Sequence, residues 1–558
     1  MTPSRPASLA RARIAFLSME IGLEAGMRCY SGGLGVLAGD FALAAADLGL
    51  PMVFVSMACR DGYVRQEIDE QGRQRHEPDP WEPADWAVPL PVVPSVTIEG
   101  RQVRIRSWLR ELEGMSGTKL AVLLLDTDVE ENDPADRAIT GRLYGGELRT
   151  RLMQEAVLGL GGKAVIDALG LDIERYHLNE GHAALLPLAL HAQGMERDAI
   201  RATSIFTTHT PIPAGHDRFG MDLVRTVIGA RLADEAARLF EGSTELDMTR
   251  LALEFSGWVN GVSERHAEVS RKMFPGQQVH AVTNGVHLGR WTQPAIAALF
   301  DAVAPRWQES PSGLSRFAAV EDGALWSAHC HAKQALVDDV AGRTGHRLDP
   351  ELPIIGYARR MTPYKRADLL FSHLVRLLKI AERHPFQVLL AGKAHPDDKG
   401  GQALIHRLHE IARSCGEHLP VVFVPGYDID LAAAMVAGCD VWLNTPEPPL
   451  EASGTSGMKA AVNGVPNLSI LDGWWIEGCE HGRNGWGLGG SAETASADAD
   501  RLLDCLEQEV LPLWYDDRPG WIAMMKHSVA SLAPRFSACR PMRQYADEAY
   551  GEAADVLR

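Results

Sequence analysis

Ten short runs of aliphatic and β-branched residues are spread along the chain, with stretches of helical periodicity between them. In the first half the runs are Ile14–Ser18, Met52–Ser56, Leu120–Leu125, Thr203–Thr207 and Val279–Thr283. In the second they are Pro353–Tyr357, Phe386–Leu390, Val421–Val424, Val441–Asn444 and Asn467–Leu471. Runs that are apolar on both faces suit strands of a parallel sheet covered by helices on each side. Helical patterns fall at Arg149–Leu169 and Gly181–Gln193, then at Lys365–Glu382, Gln402–Cys415, Leu431–Val436 and Met458–Asn463. The chain is therefore predicted to be α/β, each half its own doubly wound unit, joined within residues 285–350. Asp301–Ser312, with Pro305, Pro311 and few aliphatics, reads as loop. Leu532–Arg558 reads as one or two helices with no strand to cover in its own half.

Composition narrows what such a fold can serve. At ~100–200 residues per domain, 558 residues make two large domains or three. The formal net charge of −18 would repel a phosphate backbone, which argues against nucleic acid as the main partner. The eight cysteines form no CxxC pair, and His329-Cys330-His331 puts adjacent side chains where a metal needs convergent ones, so it reads as structural. No run of 18 apolar residues predicts a membrane span, and Arg5, Arg11 and Arg13 interrupt any signal-like segment. A reduced, cytoplasmic protein is the expectation.

In open parallel sheets ligands bind beyond the carboxyl ends of the strands, and the chemically distinctive residues fall there. Ile14–Ser18 runs into Glu20 and then Gly32-Gly33-Leu34-Gly35. This turn fails the dinucleotide fingerprint; a tight turn and an anion-binding nest of backbone amides are both open. Thr203–Thr207 runs into His209. Single residues such as His209, His182 and Glu180 are more often structural hydrogen-bonders than catalysts. Pro353–Tyr357 ends at Arg359-Arg360, with Lys365-Arg366 close behind. Cations ahead of a helix N-terminus are disfavoured by its dipole, which tilts the reading from a solvated face toward a bound anion. Val441–Asn444 leads to Glu451, the Ser453–Gly457 run and Lys459. That run is not a Walker A loop; Lys459 is either solvated or a Schiff-base site for a phosphorylated aldehyde cofactor. Trp474-Trp475 reads as packing.

Taken together these motifs are specific. The stretches Tyr30–Asp40 (YSGGLGVLAGD), His177–Leu185 (HLNEGHAAL), Phe206–Asp217 (FTTHTPIPAGHD), Val259–Ser263 (VNGVS), Thr283–His287 (TNGVH), Ala358–Arg366 (ARRMTPYKR), Ala391–Pro396 (AGKAHP), Asn444–Gly464 and Leu471–Gly478 occur in order. The chain resembles the α-glucan (glycogen, starch and maltodextrin) phosphorylases in their short bacterial form. The resemblance implies a glycosyltransferase B-type pair of Rossmann-like domains, 1–284 and 285–531, around a cleft. It also implies a helical tail, 532–558, crossing back to the first domain.

By the same resemblance the chain is a glycosyltransferase of glycogen degradation: glucan plus inorganic phosphate gives α-D-glucose 1-phosphate with retention. Lys459 would carry pyridoxal 5′-phosphate, whose phosphate acts as acid–base partner to the substrate phosphate. Gly454, Thr455, Tyr427 and Arg359 would surround the cofactor. Arg360 and Lys365, with amides of Gly32 and Gly33, would hold substrate phosphate. Glu451, Ser453, Asn284 and His182 would bind the glucosyl unit, and His209 would lie near its reacting carbon. Glu447-Pro448, Pro363, Arg359 and Arg265 depart from the usual pattern. Regulation through an N-terminal extension is not expected, and a homo-oligomer is left open. The alternatives are a nucleotide-sugar-dependent glucan synthase of the same fold and a weakened, glycan-binding paralogue.

Overall fold

The computed structural model describes residues 6–212, 215–489 and 494–557, so Arg5, Pro213, Ala214 and Arg558 lie outside the described residues. Two large sheets organise the chain. The first holds β1 (Ile14–Ser18), β2 (Met52–Met57), β3 (Val88–Pro89), β4 (Arg106–Glu113), β5 (Lys119–Asp126), β6 (Arg175–Asn179), β7 (Ser204–Thr207), β8 (Trp258–Gly261) and β9 (Val279–Ala281). Their order is β9-β8-β7-β6-β1-β2-β5-β4-β3, parallel from β9 to β5 with an antiparallel edge. The second holds β10 (Ile354–Ala358), β11 (Gln387–Ala391), β12 (Val421–Val424), β13 (Val441–Asn444), β14 (Asn467–Ile470) and β15 (Gly485–Leu488). It is wholly parallel, in the order β12-β11-β10-β13-β14-β15.

All ten expected strands are present within a few residues of their predicted ends. Their residues are buried on both faces, which is why each reads as an unbroken apolar run. Strand order reverses between β1 and β6 in the first sheet and between β10 and β13 in the second. These switch points are where such sheets open a crevice.

The tail joins the first sheet. After the helix Arg518–Leu532, the chain passes beside Val286, whose N–H donates to Phe536 O (2.9 Å) while Ala538 N–H donates to Val286 O (2.8 Å). The two crossings between the halves therefore run side by side. The helix Cys539–Tyr545 and a π-helical turn, Ala546–Tyr550, then pack with Phe16, Phe41 and Phe54. Tyr550 OH and Thr207 Oγ1 each lie 2.7 Å from a ring nitrogen of His177, and Asn260 Nδ2 donates to Tyr545 OH (3.0 Å).

One helix begins later than expected. Residues 363–371 form two short 3-10 turns, and the helix proper is Leu374–Arg383 rather than Lys365–Glu382. Pro363 removes a donor, Arg366 takes a left-handed φ of 47°, and the Lys365 carbonyl accepts from Tyr357 OH (3.0 Å) and Thr445 Oγ1 (3.1 Å). Side chains have claimed the backbone there, so a helix cannot form. His329 is a buried partner of Asp440 (2.8 Å), and Trp474 and Trp475 are buried packing residues. Among the described residues no helix is long and apolar enough to cross a membrane.

Candidate functional site

The two switch points face each other across a cleft of about 610 Å³. All fourteen residues given a role by the resemblance line it: five from the first half or the crossing, Tyr427 from beyond β12 and the rest from beyond β10 and β13. Sequence neighbours thus meet partners hundreds of positions away.

The glycine-rich turn starts the helix Gly33–Asp47 with Gly32 as N-cap. A Cβ at Gly32 or Gly33 would meet nothing within 4 Å, so protein packing does not demand glycine there. The empty space lies on the cleft side, and bare backbone lets a ligand come close. The two amides differ. Gly32 N–H points at Glu20 Oε2 (3.3 Å), which also accepts from Ser31 N–H (2.5 Å), whereas Gly33 N–H makes no hydrogen bond among the described residues. Of the expected pair of anion donors, Gly33 alone is free.

The basic residues divide in the same way. Glu451 Oε2 accepts from Arg359 Nη2 and from Lys365 Nζ, both at 2.5 Å, and all three are buried. Burial alone would raise the Glu451 carboxyl, but the two cations hold it down at about 2. Arg366 is structural, donating to Thr445 O (3.0 Å) and Pro446 O (2.6 Å) and pairing with Asp498 (2.8 Å). Arg360 has no hydrogen bond or ion pair among the described residues and faces the cleft beside Tyr364 and Tyr63. It is the cation left for an incoming anion.

Lys459 lies in the short helix Thr455–Ala461, which Gly454 starts at a φ of 89°. Its ammonium stands 4.0 Å from the Trp291 ring centroid and donates no hydrogen bond among the described residues. Burial lowers it to about 8, although Asp40 pulls the other way. Trp291 is fixed by Asp40, which accepts from Nε1 at 2.8 Å, and by Asn463, whose Nδ2 donates to the Trp291 carbonyl (2.8 Å). An amine with a lowered pKa, held against an aromatic face beside a glycine-rich turn, is placed to take up an aldehyde. Buried polar atoms without protein partners belong to residues of the same cleft: Arg359 Nη1, Ser453 Oγ and Asn284 Oδ1. Such atoms need a partner, which bound water or a ligand can supply. Tyr427 lines the same arm, its phenol pushed up by burial.

On the opposite wall His209 points Nε2 at Asn179 Oδ1 (2.7 Å). Asn179 Nδ2 donates to Ser18 Oγ (3.0 Å), so its oxygen is the atom turned to His209 and the imidazole proton sits on Nε2. Burial pushes His209 down to about 3, leaving a neutral ring. Glu180, at a φ of 73°, accepts from His209 N–H (2.5 Å) and Thr210 Oγ1 (2.9 Å) and so anchors that loop. His182 Nε2 lies 3.0 Å from Arg151 Nη2, and its buried Nδ1 has no partner.

Comparison with known proteins agrees with this arrangement. Residues 208–487 match the carbohydrate phosphorylase family, and residues 13–284 match the starch synthase catalytic domain. A maltodextrin phosphorylase of Thermococcus litoralis is 38% identical over 97% of this chain and 70% of its own length. A glycogen phosphorylase of Aquifex aeolicus is 35% identical over 97% of this chain and 86% of its own. One from Mycobacterium tuberculosis is 34% identical over 98% and 71%. The chain belongs to the carbohydrate phosphorylase family. As a carbohydrate phosphorylase it is an enzyme of glycosyl transfer.

Several residues that line this phosphorylase's cleft or hold its lining were not given a role from sequence: Trp291, Arg151 and Tyr144 in the wall, Asp40 behind Trp291 and Asn179 behind His209. Trp291 and Asp40 carry a faint signal, a buried-type aromatic just after the Thr283–His287 stretch and an acid inside an apolar helix. Asn179 and Tyr144 act through contacts that sequence spacing does not encode.

Proposed function

We propose that this phosphorylase cleaves α-1,4-glucans with inorganic phosphate, releasing α-D-glucose 1-phosphate with retention. The observation that carries the reading is the convergence, in one cleft, of Lys459 and Arg360 from one half with the free Gly33 amide from the other. Phosphate chemistry at a site of overall negative protein needs such local donors, because like charges in a dry cleft repel strongly.

The donor set fits pyridoxal 5′-phosphate, with Lys459 as attachment point and Gly454, Thr455, Tyr427 and Arg359 around it. When bound, the cofactor supplies a phosphate group that exchanges a proton with the substrate phosphate. Arg360 and Gly33 hold the substrate phosphate, and Lys365 divides its charge between that anion and Glu451. Asn284 and Ser453 offer their unpartnered atoms to glucose hydroxyls, and His182 offers Nδ1. His209, kept neutral, lies near the reacting carbon without repelling the positive charge that develops there. Closing the cleft around these groups excludes water, which favours phosphate over water as acceptor.

The test is incubation with maltodextrins of graded length, with and without phosphate, and identification of the anomer released. Phosphate-independent release, or no sugar phosphate, sinks the reading. A nucleotide-sugar-dependent glucan synthase is the second reading, favoured by the starch synthase match over residues 13–284. It requires incorporation from ADP- or UDP-glucose with no dependence on Lys459.

A further inference from the structure

Tyr144 stands at a left-handed φ of 54°, a conformation that a bulky aromatic rarely adopts unless its surroundings impose it. Four contacts impose it here. Its hydroxyl donates to Glu20 Oε1 (2.9 Å). The Arg151 guanidinium lies 4.3 Å from its ring centroid, and the His182 ring is 6.1 Å away. Its carbonyl accepts from His395 Nε2 (3.3 Å), a residue of the opposite half. His395 Nδ1 already accepts from Asp397 N–H (3.1 Å), so the donor proton is on Nε2.

Glu20 is the partner that matters. Its other oxygen accepts from Ser31 N–H and Gly32 N–H, and Ser31 Oγ lies 3.1 Å from both oxygens. A carboxylate beneath an anion-binding turn is electrostatically costly, so it needs a positional purpose. We propose that Tyr144 is a positioning residue whose hydroxyl locks the Glu20 carboxylate under the Gly32–Gly33 turn and so fixes where the phosphate-binding amide stands. The inference rests on the phosphorolysis reading for its effect on turnover, but the lock itself is a statement about the turn. The phenol is pushed well above its ordinary value by burial and then by Glu20, so the hydroxyl keeps its proton across the working range. Because the Tyr144 carbonyl is held by His395, the lock also joins the turn to the opposite wall.

The test compares wild type with Tyr144→Phe, Glu20→Gln and the double variant. Tyr144→Phe keeps the ring over Arg151 and the backbone bond to His395, and removes only the hydroxyl. Loss of a hydrogen bond to a charged group is expected to raise the KM for phosphate by about tenfold. The KM for maltodextrin and the cofactor content should stay within about twofold of wild type. In the Glu20→Gln background the tyrosine substitution should add less than about twofold, since both act through one contact. Amide exchange, read by mass spectrometry, should quicken in the peptide around Ser31–Gly35 and nowhere else. An unchanged KM for phosphate, an equal rise in the maltodextrin KM, or effects that multiply in the double variant would overturn the proposal. If wild type shows no phosphate-dependent turnover, the functional reading fails. The exchange comparison then still decides the lock: selective quickening sustains it, and equal rates overturn it.

Discussion

Lys365 Nζ lies 2.5 Å from Glu451 Oε2, an oxygen that Arg359 also reaches, so one carboxylate restrains two buried cations in the wall of the cleft. Removing it strands both. Glu451→Ala is expected to lose ~3–5 kcal/mol of stability, the usual outcome when one partner of a buried pair is deleted. Added inorganic phosphate should restore more of the melting temperature in the variant than in wild type. The pH dependence follows from the depressed folded-state value of about 2 against the ordinary 4.5. The pairing contributes fully above the ordinary value and fades as pH falls toward the folded one. The gap between wild type and Glu451→Ala in thermal melts should therefore narrow as pH drops below 4.5. A gap that widens there contradicts the pairing.

Arg360 supports a different expectation, because nothing in the described protein holds its guanidinium. Arg360→Ala should leave stability within ~0.5 kcal/mol, as for a substitution that breaks no contact. It should raise the phosphate requirement and slow turnover by ~2–4 kcal/mol if the group acts on developing charge. Cofactor content should remain near wild type. An Arg360→Ala enzyme that loses cofactor but keeps its phosphate dependence shows that the guanidinium serves the other anion.

Lys459 is lowered to about 8, so its amine becomes a free nucleophile as pH rises through that value. Uptake of pyridoxal 5′-phosphate by cofactor-stripped enzyme should accordingly quicken between pH 7 and 9. Borohydride reduction followed by peptide mapping should mark Lys459. A label on another lysine, or uptake that slows with rising pH, rejects the attachment site.

What could be read in advance follows a physical line. β1, β12 and β13 matched to the residue because strands buried on both faces must be continuously apolar. β6 and β8 were missed because they carry His177, Asn179 and Asn260 into the sheet. Those polar groups are tolerated only because Tyr545, Tyr550, Thr207 and Ser18 satisfy them, and the two tyrosines arrive from the tail. Local pattern cannot anticipate a partner 373 positions away. The candidate site was legible for a related reason: its donors sit at strand ends, where turn chemistry is written in glycine, serine and cation clusters. The pairing within it, Glu451 with Arg359 and Lys365, was not, since it depends on how two sheets face each other.

The two halves are also tied across the far rim of the cleft, by a hairpin of strands Arg65–Ile68 and Gln74–Glu77. Gln66 Nε2 donates to Gly392 O (2.8 Å), and its Oε1 accepts from Gly426 N–H (2.9 Å). Gln74 Nε2 donates to Ala394 O (2.9 Å), and its Oε1 accepts from Ala394 N–H (3.1 Å). Both side chains are buried, so these bonds do not compete with water in the closed arrangement. At ~1 kcal/mol net for each bond, four of them bias the closed arrangement by roughly a thousandfold. Gln66→Ala with Gln74→Ala should therefore open the ligand-free cleft, seen as a larger radius of gyration in small-angle scattering. On the proposed function phosphate and a maltodextrin together engage groups from both halves, which only the closed arrangement allows, so they should restore the compact curve. The parallel crossings at Val286 and Phe536–Ala538 are the expected hinge for such a motion, and neither is touched by the substitutions. A double variant with an unchanged ligand-free curve shows that the hairpin does not hold the cleft. One that opens but stays open at saturating ligand shows that the ligand does not draw the halves together.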